Sequence, residues 1–133
     1  MIDAEEKIFK KVADAFSAAY PDGAVYREVV EVPDRFPCLT LVEIDNVAYQ
    51  PSQDLASMEH HATVTYEINV YSNEPDGGKQ ACKAVMALAD EQMQRLGFTR
   101  LICSQIKNAD SKIYRMTARY RAVISEDYII YRR

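Results

Sequence analysis

The chain has 133 residues, 48% hydrophobic and 27% charged, which is enough to bury a core and fits one domain spanning residues 1–133. No stretch approaches the roughly 18–20 uninterrupted apolar residues of a membrane helix, and the opening MIDAEEKIFKK is too charged for a signal peptide, so neither membrane nor export is expected. A net charge of −4 argues against a dedicated nucleic-acid binder, whose footprint would be a basic patch.

From Asp3 to Tyr20, the residues Ile8, Phe9, Val12, Ala15, Phe16 and Ala19 recur on one helical face, with Glu6, Lys7, Lys10, Lys11 and Asp14 opposite. Asp3 followed by Glu6 has the spacing of a capping box, and Tyr20-Pro21-Asp22-Gly23 supplies the stop. Residues 24–32 and 38–45 are rich in β-branched residues and flank a Pro33–Pro37 turn, so they read as a hairpin. Residues 46–58 lack periodicity and are long for a compact domain, which marks them as a projecting arm.

Strict alternation returns from Glu59 to Tyr71, with Ala62, Val64, Tyr66, Ile68 and Val70 facing one way and His61, Thr63, Thr65, Glu67 and Asn69 the other. The turn residues SNEPDGG lead into a second helix carrying Cys82, Val85, Met86, Ala89, Met93 and Leu96 as its apolar stripe, and Gly97 is placed to end it. Residues 98–107 and 113–125 read as strands, and DYIIYRR at the end can add a short edge strand or reach a neighbour. The order α-β-β-β-α-β-β predicts an α+β fold, a mainly antiparallel sheet of five or six strands with both helices on one face.

No constellation for catalysis, metal or cofactor binding stands out. His60 and His61 are adjacent in the chain and would point to opposite faces of a strand, so they cannot chelate one ion and are expected at the surface. Cys38, Cys82 and Cys103 are isolated and odd in number, which predicts reduced, buried thiols. Gly77 and Gly78 lack the spacing of a phosphate loop. Glu43 and Asp45 are expected to share a strand face, with nothing nearby to close a cation site. Arg115, Arg119 and Arg121 share a face of the fifth strand, and cross-strand or intersubunit pairing with acids such as Glu67 is favoured over phosphate contact in an acidic protein. Tyr49, Tyr128 and Tyr131 fall in or near loops and ends, where exposed tyrosines favour protein interfaces. Residues 1–66 carry 12 acids against 5 bases and residues 67–133 carry 8 against 11, so the halves are −7 and +3, an asymmetry suited to a subunit whose acidic side meets a basic side of its neighbour.

The strings PDGAVYREVVEVPDRFPCLTLVE, YEINVYSNEPDGGK, RLGF and IYRMTARYRAVI, in this order along nearly the whole chain, resemble the tail-terminator and tail-completion proteins of long-tailed bacteriophages and prophages. The resemblance implies a structural virion protein of the tail or neck, assembled in the bacterial cytoplasm without cofactor or enzymatic activity. It would form a ring, typically of six copies, that caps the tail tube and joins it to the head connector, so its partners would be other copies, the tail tube protein and head–tail connector proteins. DNA would pass through the lumen without specific binding. The expected interface comprises Tyr49, Gln50, Pro51, Asp54, Leu55 and Met58 in the arm, Arg115, Arg119 and Arg121 on the strand, and Tyr128 and Tyr131 near the end. A neck, head-completion or tail-tube-like subunit is the nearest alternative. A cellular regulatory domain that binds a small ligand between helices and sheet is the other.

Overall fold

A computed structural model describes residues 1–48, 60–108 and 110–132. The elements are α1 (Glu5–Ala19), β1 (Ala24–Tyr26), β2 (Cys38–Ala48), β3 (His61–Ser72), α2 (Gly78–Leu96), β4 (Thr99–Ile106), β5 (Tyr114–Ser125) and β6 (Ile130–Arg132). The strands form one sheet in the order β1-β2-β3-β5-β4, and β6 pairs with β5 beyond the start of β4. All pairings are antiparallel except β1 with β2. This is the expected α+β architecture.

Both helices lie on one face because their stripes and the inward residues of the strands need each other to leave water. Ile8, Val12 and Phe16 of α1 and Cys82, Val85, Met86, Ala89 and Met93 of α2 share one core with Leu39, Leu41, Val64, Tyr66, Ile68, Ala118, Tyr120 and Ile124. Ala19, on the edge of the predicted α1 stripe, is exposed. Tyr66, Tyr120, Phe16, Phe98 and Met93 are fully buried and occupy the space between helices and sheet. The ring of Tyr66 meets Phe98 edge-on with centroids 5.5 Å apart. The hydroxyl of Tyr66 donates to Glu43 Oε1 at 3.0 Å and that of Tyr120 to Asp90 Oδ1 at 2.7 Å, so each buried ring keeps its polar end satisfied. Gly97, at φ +105°, ends α2 with its N–H on the carbonyl of Gln94, and the Phe98 N–H returns to that of Met93.

Several expectations change. Residues 24–26 and 38–40 are not a hairpin: they run parallel, Ala24 beside Cys38 and Tyr26 beside Thr40. The Ala24 N–H donates to the carbonyl of Pro37 at 3.0 Å, so residues 27–37 swing round as a crossover, which a parallel neighbour requires. Gly23 makes that approach possible, since a Cβ there would lie 2.7 Å from the Pro37 oxygen. The peptide before Pro37 is cis.

The capping box does not form. The helix N-cap is Ala4, one residue beyond Asp3, and Asp3 Oδ1 instead accepts the N–H of Glu5 at 3.1 Å. β2 runs on through Asn46, Val47 and Ala48, three residues of the expected arm, because they continue the ladder with Val64, Thr63 and Ala62. A bulge at Ile44 puts Glu43 opposite Tyr66 and Asp45 opposite Thr65, hence on opposite faces rather than one. Cys38 and Cys82 are buried, but Cys103 is exposed because β4 is the last strand of the sheet.

Candidate assembly interface

The face of the sheet away from the helices carries the alternate residues of β3 and β5. Registration places Arg115 beside Tyr71, Thr117 beside Asn69, Arg119 beside Glu67 and Arg121 beside Thr65. Four of them, Arg119, Glu67, Asn69 and Arg115, form a chain of hydrogen bonds. Arg119 Nε donates to Glu67 Oε2 at 3.0 Å, Asn69 Nδ2 donates to Glu67 Oε1 at 3.0 Å, and Arg115 Nε donates to Asn69 Oδ1 at 3.0 Å. The Arg115 guanidinium then lies 5.5 Å from the ring centroid of Tyr71. The three arginines are thus brought onto one surface, two of them held within the subunit. Arg121 is exposed, and among the described residues no acid pairs with it.

This ladder buries polar groups that would otherwise need water. Asn69 and Tyr71 are fully buried beneath Arg115 and its neighbours, and burial pushes the Tyr71 hydroxyl up in pKa against the opposing pull of Arg115. Arg119 remains half-exposed while Glu67 is mostly covered, so the pair presents a cation to the outside and keeps its carboxylate beneath.

Tyr128 and Tyr131 stand apart from one another in role. Tyr128 adopts a left-handed φ of 64° at the turn before β6, and Lys7 of α1 lies 4.2 Å from its ring centroid. Tyr131 pairs across to Val123, on the arginine face, and its ring is 5.7 Å from that of His61. Both tyrosines are exposed. Tyr49, Gln50, Pro51, Asp54, Leu55 and Met58 lie outside the described residues. His60 is at the surface as expected, with Nδ1 3.4 Å from Glu126 Oε2. Among the described residues no group of three His, Cys, Asp or Glu side chains is placed to hold a metal ion, and no helix is long and apolar enough to cross a membrane.

Sequence reasoning missed the exposed apolar residues at the margins of the sheet. Ile44 and Val47 on β2 are 42% and 52% exposed, and Leu101 and Ile102 on β4 are 46% and 48% exposed, values that set them apart from the closed core. Their signal is absent from hydropathy, since an apolar strand residue reads as buried until the strand order is known.

The strand order also converts the charge asymmetry of the sequence into a spatial one. β1 and β2 come from the acidic half and β5, β4 and β6 from the basic half, with β3 between them. On the β2 side, Glu43 is pushed up in pKa, first by burial and further by the nearby Glu5 and Asp3, while Tyr66 and Asn46 donate to it and oppose the shift. No curated protein shows significant similarity to the chain. The model of the family described as Tail completion protein gp17 matches residues 8–125, and the chain belongs to that family of structural proteins of the bacteriophage tail.

Proposed function

We propose that the protein is a single-domain tail terminator: copies close into a ring, of about six by resemblance, on the end of the tail tube, stop its polymerisation and present a surface to the head–tail connector. The observation that carries this reading is the family match over residues 8–125. A ring needs a heterologous contact, one patch of each subunit meeting a different patch of the next. Separation of acidic and basic strands across the sheet supports such a contact, because opposite patches attract while like patches repel. The exposed residues Arg121, Tyr128 and Tyr131 and the segment 49–58 are assigned to contacts between copies or with the tube. DNA passes through the lumen without specific binding, as the net charge of −4 favours.

The test combines mass in solution with negative-stain imaging, using the protein alone and mixed with tail tubes of the phage that encodes it. Rings, free or on tube ends, are the expected result. A monomer that ignores tubes overturns the proposal. Replacing residues 49–58 by a short Gly-Ser connection should leave the far-UV circular dichroism unchanged and abolish ring formation; rings that persist remove the segment from the interface.

A further inference from the structure

Among the described residues, each outer strand of the sheet has a run with no strand beside it. β1 covers only Cys38–Thr40 of β2, and among the described residues no strand pairs with Leu41–Ala48 on the side away from β3. Likewise none pairs with Arg100–Ile106 of β4 on the side away from β5. Along each run the alternate residues whose N–H and C=O point away from the sheet are offered to a partner strand.

Each edge is also apolar where a solitary subunit would keep it polar. Ile44 and Val47 stand exposed on one and Leu101 and Ile102 on the other. Free edges are ordinarily guarded by charge, proline or bulges. Here both strands carry a bulge, at Ile44 and at Leu101, and in each case the extra residue is a large exposed hydrophobe. A bulge restricts which strand can dock, while its apolar side chain rewards one that fits.

The polarity of the strands selects the partner. β2 is antiparallel to β3, β3 to β5 and β5 to β4, so β2 and β4 run in opposite directions. A second copy placed beside the first in the same orientation brings its β2 against β4 antiparallel, the more stable ladder, with both pairs of helices on the same side of the joined sheet. The β2 strand carries Glu43 and Asp45, with Asp3 and Glu5 near Glu43, whereas β4 carries no acid, its Arg100 is held by Asp90 at 2.9 Å, and it is followed by Lys107 and lies beside the arginines of β5. Two β2 edges would oppose like charges. One edge of each kind does not.

We infer that the β2 edge Leu41–Ala48 of one copy pairs antiparallel with the β4 edge Arg100–Ile106 of the next, making the sheet continuous from subunit to subunit. This rests on the ring proposed above and names its contact. Each copy uses both edges once, so only closure ends the series.

Cys103 on β4 supplies the probe, because burial pushes the thiols of Cys38 and Cys82 up to about 12 and leaves Cys103 as the exposed one. Full-length Ile44→Cys and Val47→Cys are treated with a short bismaleimide, alone and with tail tubes, and run on a denaturing gel. The expected result is a ladder of covalent oligomers from each, lost when Cys103→Ser is added, with none from wild type or from Lys10→Cys on the exposed face of α1. Circular dichroism checks the fold, and Asp45→Cys replaces a variant that fails it. A ladder that survives Cys103→Ser, dimers of wild type joined at Cys103, or no ladder under either condition overturns the inference. Tube capping without a ladder removes edge pairing and leaves the terminator reading standing; a ladder from protein that ignores tubes does the reverse.

Discussion

Glu67 is the acid on which the outer ladder turns, since it accepts from both Arg119 and Asn69. The Arg119 side chain is 52% exposed, so solvent screens the ion pair and its worth to folding is at most about 1 kcal/mol. Arg119→Ala should therefore move the urea midpoint little. Arg119→Glu places two carboxylates together on the outer face, and in sedimentation it should weaken assembly more than Lys83→Glu on the exposed side of α2; equal effects would leave Arg119 no special part. Glu43 obeys a different rule. Its folded pKa is raised, chiefly by burial, so the fold holds this proton more tightly than the unfolded chain does. The contribution to stability is present below the unfolded value near 4.5 and is lost as pH climbs through the raised folded value. Glu43→Gln should remove that slope, making the variant gain on wild type as pH rises above the acid range, a trend that urea titrations at several pH values would read directly.

Among the elements, the glycine that ends α2 lies against β6. A Cβ on Gly97 would sit 3.1 Å from Ile130 Cγ2, and φ there is +105°. Gly97→Ala should cost about 1–2 kcal/mol from the left-handed backbone alone, with further loss as β6 is pushed from β5. Thermal unfolding should show this, together with greater protease sensitivity at the C-terminus. How far the elements could be read from sequence depended on what periodicity encodes. β3 was legible from end to end because its apolar and polar residues alternate without interruption, and so were both helical stripes. The parallel entry of β1 was not, since a run such as AVYREVVEV reports extended backbone but not the direction of its neighbour. The bulge at Ile44 was equally hidden. Its effect is to reverse which face each later residue takes, and nothing in CLTLVEID marks where the reversal falls. At the candidate interface the arginine face was visible as every second residue of β5, whereas the exposure of Cys103, Leu101 and Ile102 is a consequence of strand order, which local pattern does not carry.

On the scale of the whole molecule, strand order does something that charge counting alone could not foresee. The two halves of the chain do not interleave in the sheet: they meet at β3, so the acidic and basic segments stay on their own sides. Long-range attraction between unlike sides depends on ionic strength, with a Debye length of about 10 Å at 0.1 M salt. Assembly should consequently begin faster at low salt, while rings already closed resist added salt better than free subunits assemble in it. Light scattering after a salt jump distinguishes the two.

The central pairing also sets an order in time. β2 and β3 follow one another, as do β4 and β5, but His61 meets Ser125 only after the chain between them has made a helix and a strand. Such distant pairing is slow to form, because the loop must close before its contacts repay it. A nascent chain that has emerged as far as Ser72 holds β3 with one side of its ladder open, and that side stays open until β5 leaves the ribosome. The interval before translation finishes is thus when this subunit is most exposed to aggregation, and a truncation that stops short of Tyr114 would prolong it indefinitely.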